Sequence, residues 1–322
     1  MAWEAEDRAG TFVPHGREEF LVDLGGIRMN HVIAGDPTQP ALLLVPGQSE
    51  SWWGYGRALP LLARDFRVYA VDPRGQGRST WTPGRYTLDN LGNDLVRFID
   101  LVIGRPTLVG GLSSGGVLAA WLAAYAKPGQ IRAAVLEDPP LFASETAPAC
   151  GPGIRQALGP VLAVWHKYLG DQWSVGDWRG MVAALPREVP PVLLKGLSAL
   201  SGRTAGGSGD GGQVPQNFRE YDPEWARAFV SGTMQEGCDH AAMLARVRVP
   251  VLLTHHYRHV DADTGHLVGA LSDRQARRVR ALVEAAGQPV AHRSFPDRPH
   301  SLHGTDPELY ARTVTEWAAT LP

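Results

Sequence analysis

Short apolar runs alternate with helix-like segments over most of the chain, and this alternation restricts the fold more than any other feature. The runs are rich in Val, Leu and Ala, as expected of strands that are buried on both faces of a sheet. They lie at residues 41–45, 67–72, 107–110, 133–136, 250–254 and 290–295. Strands alternating with helices predict an α/β fold with a mostly parallel sheet flanked by helices.

The alternation stops between residues 141 and 245, where helix-like stretches at 154–168, 192–200 and 223–229 occur without a strand-like run. This segment contains a Gly-rich stretch near 203–213, which has nothing to bury and is expected to form a flexible loop. The 322 residues correspond to about one large or two ordinary domains. We therefore expect one core from residues 1–140 and 246–322, with a helical cap inserted at 141–245.

The composition disfavours several classes of function. With 31 Lys and Arg against 33 Asp and Glu, and no basic run, the chain lacks the clustered cations of nucleic-acid-binding proteins. No apolar stretch approaches the roughly 20 residues needed to span a bilayer, and the polar N-terminus shows no secretion signal. Cys150 and Cys238 permit at most one disulfide. We expect a cytoplasmic protein with no nucleic-acid or membrane partner, and the sequence leaves homo-oligomers open.

A candidate nucleophile lies between a predicted strand and a predicted helix. Residues 111–115, Gly-Leu-Ser-Ser-Gly, match G-x-S-x-G, whose glycines permit a sharp turn that exposes one serine hydroxyl. In this register the nucleophile is Ser113, and the backbone N–H of Ser114 is an expected oxyanion donor. Two other interpretations are a glycine-rich turn without catalytic function and, in a different glycine register, Ser114 as the nucleophile.

With these flanks the chain resembles the α/β-hydrolase superfamily, over residues of about 18–140 and 246–322. The stretch 72–79 is similar to a D-x-R-G-x-G-x-S segment that is common in that family, and we expect it to be structural. The resemblance implies the α/β-hydrolase fold, and it implies that the inserted helical cap covers the active site.

The family's second oxyanion donor follows the strand at 41–45. Family members usually carry His-Gly there, followed by a residue whose backbone N–H completes the oxyanion hole. This chain reads Pro46-Gly47-Gln48, so the His is replaced while the Gly is kept. Because the chemistry needs a backbone amide, the resemblance assigns Gln48 and Ser114 as the donors. A plain strand-to-loop glycine is the alternative.

A serine hydroxyl needs an adjacent base, which in this family precedes the last helix. His300 lies six residues before Asp306-Pro307 and matches the family's spacing, whereas His303 does not. The resemblance therefore favours His300 as the base, and His303 is expected to line the pocket or to be a loop residue.

The acid that orients this histidine has three candidates. Asp138 falls at the C-terminal edge of the predicted sheet, and some family members carry the acid there. The usual family position follows strand 250–254, where Tyr257 or Arg258 stands here and Asp261 comes later. We expect Asp138 to be the acid and keep Asp261 and Glu137 as alternatives. A non-catalytic interpretation is that Glu137 and Asp138 only cap the start of the insertion.

A polar cluster follows strand 250–254, and its composition resembles a metal site. Its members are His255, His256, His259, Asp261 and Asp263. Their spacing does not match a tetrahedral zinc pattern such as H-E-x-x-H, so a solvated loop rim is the simpler interpretation. We expect no metal and no cofactor.

Large aromatic side chains in the cap and near the oxyanion strand suit an apolar or aromatic substrate. Packing of the cap against the core is the alternative role for each of them. The residues expected to contact substrate are Gly47, Trp52, Trp53, Trp165, Trp173, Trp178, Trp225 and His303.

Within the superfamily, the chain resembles the lactone hydrolases that open the macrocyclic ring of the mycotoxin zearalenone. The shared features are Val45-Pro46, the G-x-S-S-G turn and an acid before the cap, although those enzymes carry Glu where this chain has Asp138. The resemblance implies a Ser113–His300–Asp138 serine hydrolase. A carboxylesterase, a carbon–carbon bond hydrolase, an acyltransferase or a non-catalytic receptor of this fold are the alternatives. Epoxide hydrolases and dehalogenases are disfavoured because they need Asp in place of Ser113.

Overall fold

The computed structural model of the chain describes residues 2–142, 154–170, 176–191, 193–194, 213–263, 265 and 267–322. Cys150, Trp173 and residues 203–212 of the expected loop lie outside the described residues, as does most of a predicted helix at 192–200. Within the described ranges, no helix is long and apolar enough to cross a membrane.

The described strands are assembled into one main sheet and one small hairpin. They are β1 (Phe20–Asp23), β2 (Arg28–Ala34), β3 (Ala41–Val45), β4 (Arg67–Val71), β5 (Thr107–Leu112), β6 (Ile131–Glu137), β7 (Val251–His255), β8 (Arg258–Val260), β9 (Leu267–Gly269) and β10 (Val290–Ser294). The main sheet has the order β1-β2-β4-β3-β5-β6-β7-β10, and only the pairs that involve β2 are antiparallel. The predicted mostly parallel sheet is confirmed, whereas the β8–β9 hairpin was not predicted.

Helices flank this sheet and form the described part of the insertion. They are α1 (Leu59–Leu62), α2 (Leu88–Phe98), α3 (Ser114–Tyr125), α4 (Ile154–Leu169), α5 (Trp178–Glu188), α6 (Gln216–Arg219), α7 (Glu224–Ser231), α8 (His240–Leu244), α9 (Asp273–Ala285), α10 (Leu302–Thr305) and α11 (Pro307–Ala318). Short 3₁₀ segments cover Glu6–Thr11, Trp52–Tyr55 and Thr233–Gln235, and a π-helical turn, Ile99–Ile103, extends α2. Helix α5 was not predicted from the sequence.

Two hydrophobic clusters cover the two faces of the sheet. Successive side chains of a strand point to opposite faces, so Leu43 of β3 joins one cluster while Leu42 and Leu44 join the other. Buried residues between β6 and β7, such as Leu162 and Trp225, belong to the same cluster as Leu43. The insertion therefore packs on the core through continuous apolar contacts.

The strand order places a crevice between the ends of β3 and β5. After β3 the chain crosses to β4 on one side, and it then returns to β5 on the other side. In open α/β sheets, ligands bind at the carboxyl ends of strands where the order reverses in this way. The fold thus brings the ends of β3, β5 and β6 to the place where a binding site is expected.

Candidate active site

Ser113 forms the whole connection between β5 and α3. Its backbone has φ 54° and ψ −120°, a conformation that L-amino acids rarely adopt. The neighbouring glycines make this turn possible, because a Cβ on Gly111 would overlap the carbonyl of Gly115. A Cβ on Gly115 would overlap the carbonyl of Val45. The turn is therefore pressed against the end of β3, as the G-x-S-x-G motif predicts.

Backbone amides close to Ser113 suit the binding of an oxyanion. Ser114 is the first residue of α3, so its N–H has no acceptor within the helix. Gly47 passes beside the serine, since a Cβ on Gly47 would lie 3.4 Å from the Ser113 Cβ. Gln48 follows directly. The segment predicted to carry the second donor therefore lies beside the candidate nucleophile.

Asp138 and His300 form a short hydrogen-bonded pair at the end of β6. The distance from His300 Nδ1 to Asp138 Oδ2 is 2.6 Å, and Asp138 is fully buried. The second carboxylate oxygen, Oδ1, accepts a hydrogen bond from the backbone N–H of His256 at 3.0 Å. This arrangement places the proton of neutral His300 on Nδ1, which leaves Nε2 available as a base.

The pKa values of this pair are shifted in opposite directions. Burial works to raise the pKa of Asp138, but the hydrogen bond from His300 and the charges of His256 and His300 outweigh it, so the pKa is lowered. Burial works to lower the pKa of His300, but the hydrogen bond and charge of Asp138, with Glu50 and Glu137, raise it. The pair is thus arranged to stabilise an imidazolium ion beside a carboxylate.

His256 contacts both members of this pair, a role that the sequence did not predict. Its ring is buried, with Nδ1 at 2.8 Å from the carbonyl oxygen of His300 and Nε2 at 2.9 Å from Thr254 Oγ1. The neighbouring His255 is also buried and bonds the carbonyl of Leu271 at 2.9 Å. Both rings therefore serve as packing and hydrogen-bonding groups rather than as parts of a solvated rim. Among the residues that the structure describes, no group of three or more His, Cys, Asp and Glu is arranged for a metal.

The two alternative acids occupy other places. Asp261 directly follows β8 of the small hairpin, outside the main sheet. Glu137, the last residue of β6, binds His303 rather than His300, with 2.8 Å from Oε2 to the Nδ1 of His303. The carboxylate that the structure brings to His300 is therefore Asp138.

His303 lies behind this site and is fully buried. Its ring stacks on Tyr55 with centroids 3.8 Å apart, and its Nε2 lies 3.9 Å from Glu50 Oε2. Glu137 also accepts the backbone N–H groups of Leu302 and His303, at 2.8 and 3.1 Å. The structure thus places His303 in a buried polar layer behind the site. The predicted contact of His303 with substrate is not supported, because that contact requires an open pocket wall.

Two of the predicted substrate-binding tryptophans are also buried. Trp52 is 1% exposed, and its backbone N–H donates to Asp72 Oδ1 at 2.7 Å. Trp225 is 0% exposed, and its Nε1 donates to the carbonyl of Arg74 at 2.9 Å. This hydrogen bond ties cap helix α7 to the loop after β4. Both rings are therefore explained by packing, which was the alternative to substrate contact.

The other described tryptophans that were predicted to contact substrate, Trp53, Trp165 and Trp178, are half-buried. Trp53 stacks on His15 with centroids 4.9 Å apart, and its Nε1 donates to Glu220 Oε2 at 3.0 Å. Trp165 and Trp178 pack against one cap residue, Phe218, with centroid distances of 4.8 and 5.4 Å. All three indoles therefore keep part of their surface exposed.

Comparisons with known proteins agree with this architecture. Residues 40–187 match the family model of the alpha/beta hydrolase fold. Bifunctional epoxide hydrolase 2 of Sus scrofa is 34% identical over 122 residues, which make up 37% of this chain and 21% of that protein. The structure of the enol-lactonase from Burkholderia xenovorans LB400 has a TM-score of 0.64 at 17% identity, covering 93% of this chain and 100% of its own. Epoxide hydrolase CorEH has a TM-score of 0.67 at 18% identity, with coverages of 95% and 99%.

The chain therefore has the α/β-hydrolase fold that the sequence resemblance implied, and the match to the family model is confined to residues 40–187. The chain matches about a fifth of the length of the porcine epoxide hydrolase. At 17–18% identity the solved structures show a common fold alone.

Proposed function

We propose that the chain is a serine hydrolase that cleaves the ester bond of an apolar or aromatic lactone, and specifically the macrocyclic lactone of zearalenone. The observation that carries the proposal is the 2.6 Å hydrogen bond between His300 and Asp138, at the sheet edge that also holds the strained Ser113. A buried carboxylate that orients a histidine near a serine on a sharp turn is the arrangement that activates a hydroxyl for acyl transfer.

In the first half of the reaction, Ser113 Oγ attacks the carbonyl carbon and passes its proton to His300 Nε2. Asp138 stabilises the resulting imidazolium, because its lowered pKa keeps it ionised. The N–H groups of Gln48 and Ser114 stabilise the oxyanion of the tetrahedral intermediate. His300 then protonates the leaving alkoxide or phenoxide as the ester C–O bond breaks, which leaves an acyl-enzyme.

In the second half, His300 accepts a proton from water, and the resulting hydroxide attacks the acyl-enzyme. The second tetrahedral intermediate collapses, the proton returns to Ser113, and the carboxylic acid leaves. In a lactone the leaving hydroxyl stays tethered to the acyl group, so a single hydroxy acid results. For zearalenone, the resemblance implies a ring-opened acid that can then decarboxylate.

The residue at position 113 distinguishes this reaction from that of the relatives named as epoxide hydrolases. Epoxide opening on this fold needs an Asp nucleophile, whose ester with the substrate is later hydrolysed. A serine in that position supports acyl chemistry instead. An enol-lactonase among the structural neighbours is consistent with a lactone substrate. The half-buried rings of Trp53, Trp165 and Trp178 support an apolar or aromatic one.

Side-by-side assays test the proposal. Zearalenone, an aryl ester, a monocyclic lactone and a β-diketone are each incubated with the protein, with and without an acceptor alcohol. We expect hydrolysis of zearalenone to exceed the other reactions. Cleavage of the diketone alone would favour the carbon–carbon bond hydrolase, and ester formation with the alcohol would favour the acyltransferase. Tight binding without turnover would favour a receptor.

Two serine variants test the nucleophile itself. Ser113→Ala is expected to lower kcat by about 10⁶-fold while leaving the protein folded. Ser114→Ala keeps its backbone N–H, so a loss of less than about tenfold is expected. Full activity of Ser113→Ala, or a larger loss in Ser114→Ala than in Ser113→Ala, would contradict the assignment of Ser113.

A further inference from the structure

The oxyanion loop, residues 47–50, is held from the cap side by two side chains. The side-chain amide of Gln48 donates through Nε2 to the hydroxyl of Tyr221 at 2.7 Å. Asn217 Nδ2 donates to the carbonyl of Ser49 at 3.1 Å. Tyr221 and Asn217 both lie in residues 216–222, which we call the cap clamp. Neighbouring residues of the oxyanion loop are thus each bound by a different residue of the cap clamp.

The conformation of the oxyanion loop requires such restraint. Ser49 has φ 60°, a left-handed value that costs a non-glycine residue about 1–3 kcal/mol and persists only where the surroundings impose it. Within the loop, the backbone N–H of Glu50 lies 3.2 Å from the carbonyl oxygen of Gly47, and it also donates to Gln76 Oε1 of the core at 3.1 Å. These bonds fix the end of the oxyanion loop, while the bonds from Tyr221 and Asn217 fix its middle, where the proposed oxyanion donor lies.

The cap clamp is itself firmly attached to the core. The backbone N–H of Gly77 donates to the carbonyl of Glu220 at 2.6 Å, and that of Asp222 donates to the carbonyl of Gly75 at 2.9 Å. The ring of Tyr221 is fully buried and meets Phe218 edge-on, with centroids 6.2 Å apart. A buried, anchored side chain has little conformational freedom, so the Tyr221 hydroxyl holds the Gln48 side chain in a fixed position.

We propose that Tyr221 and Asn217 are positioning residues for the oxyanion hole, holding the oxyanion loop so that the Gln48 N–H meets the carbonyl oxygen of the transition state. The inference rests on the proposed serine hydrolase function and deepens it. The cap clamp thus contributes to the acyl chemistry through Gln48. The side chain of Gln48 is bound by Tyr221, and its backbone N–H is the proposed oxyanion donor. Substrate choice is left to other parts of the cap.

The first test removes a single hydroxyl. Tyr221→Phe keeps the buried ring and loses only the bond to Gln48. Because small displacements of catalytic groups cost up to about 100-fold, kcat is expected to fall about 10- to 100-fold, while KM changes less than about threefold. The matched control is Tyr168→Phe, another cap tyrosine, whose hydroxyl bonds Glu188 at an exposed site. A kcat for Tyr221→Phe equal to that of the control, or an effect on KM alone, would overturn the inference.

A second readout reports on the oxyanion hole without the natural substrate. An alkyl fluorophosphonate forms a bond between Ser113 Oγ and phosphorus and releases fluoride, and the phosphoryl oxygen occupies the oxyanion hole. The labelling rate of Tyr221→Phe is expected to fall in parallel with kcat, while affinity for the ring-opened acid stays unchanged. Equal labelling of Tyr221→Phe and wild type would show that the inference is wrong. Absence of labelling in the wild type would instead refute the serine hydrolase function, and the inference with it.

A double-mutant cycle identifies the bond responsible. Gln48→Ala keeps the backbone N–H and removes the partner of Tyr221, so it is expected to reproduce the kcat loss of Tyr221→Phe. The double variant is expected to lose no more than either single variant, because the same contact is missing. Additive losses would show that Tyr221 acts by another route and would overturn its role. Asn217→Ala, which frees the Ser49 carbonyl, is expected to lower kcat independently, and an unchanged kcat would remove Asn217 from the proposal.

Discussion

Two carboxylate–histidine pairs lie next to each other at the end of β6, and they are built from adjacent carboxylates. Asp138 binds His300 at 2.6 Å, and Glu137 binds His303 at 2.8 Å. Both carboxylates are fully buried, but 17% of the His300 side chain is exposed against 1% for His303. The same pair of functional groups is therefore found once at the accessible edge of the sheet and once inside it.

The difference lies in what the remaining atoms of each pair contact. Glu137 accepts two backbone N–H groups of α10 as well as the ring, so its bonds hold the start of that helix to the sheet. Asp138 accepts the ring of His300 and one backbone N–H from His256. A carboxylate that fixes a helix is a structural anchor, whereas one that mainly orients a partly exposed ring suits catalysis. Exposure of the histidine distinguishes the two, because a base has to reach its substrate.

The largest expected difference comes from removing each histidine. His300→Gln is expected to lower kcat about 10⁴- to 10⁶-fold, since the proposed base is lost, with little change in thermal stability. His303→Gln leaves buried Glu137 without its ring partner and is expected mainly to lower the melting temperature. Steady-state kinetics and thermal unfolding of both variants check this. Comparable loss of kcat in the two folded variants would contradict the division of roles.

Asp138→Asn tests orientation and protonation together. The loss of kcat is expected to be about 10⁴-fold, because the amide favours the wrong tautomer of His300. The proposed base acts when neutral, and its pKa is raised, so wild-type kcat/KM is expected to fall as pH drops through a midpoint higher than that of an ordinary histidine. Without the carboxylate the pKa of His300 falls, and the midpoint moves to lower pH. A pH–rate profile of both proteins measures the shift, and an unmoved midpoint would argue against Asp138 as the partner in solution.

Glu137→Gln is expected to act on folding rather than on chemistry. Breaking one side of a buried charged pair typically costs about 3–5 kcal/mol, so the free energy of unfolding is expected to fall by about that amount. The kcat of the folded fraction is expected to stay within about tenfold of wild type. Denaturant unfolding followed by assay below the midpoint separates the two quantities. An intact stability with a kcat loss like that of Asp138→Asn would reverse the assignment.

Glu50→Gln is expected to have the smallest effect and measures the coupling between the two pairs. The charge of Glu50 raises the pKa of both His300 and His303 without a hydrogen bond to either ring. Neutralising it is expected to lower the acidic midpoint of kcat/KM by less than about one pH unit, less than Asp138→Asn does. NMR titration of the two histidine rings checks this result, and a midpoint that moves upward would contradict the direction.

The sequence predicted the parts of the site that depend on local patterns. The sheet, the turn at Ser113 and the loop that carries His300 follow from strand ends, glycine spacing and the distance to the last helix. Asp138 could be placed at the sheet edge because it directly follows a strand, and the structure brings it to His300. The catalytic roles of these residues stay predictions until the variants are measured.

Other parts depend on contacts between distant segments, which local patterns do not contain. His303 and Trp225 were interpreted as pocket residues because a histidine or an indole suits a pocket, but burial depends on partners as remote as Glu137 and Arg74. His256 was grouped with a polar rim for the same reason. The β8–β9 hairpin has strands of three residues each, too short for an alternating pattern to be recognised.

Positive φ angles outside glycine have a practical consequence for directed evolution of this protein. Among the described residues they occur at Ser49, Ser113, Asp138 and Phe142, all near the ends of β3, β5 and β6. Each costs about 1–3 kcal/mol, and glycine adopts such angles without that cost. A selection for heat resistance without a selection for turnover is therefore expected to accumulate Ser113→Gly. The most durable variants of this chain would then be among the least useful as catalysts.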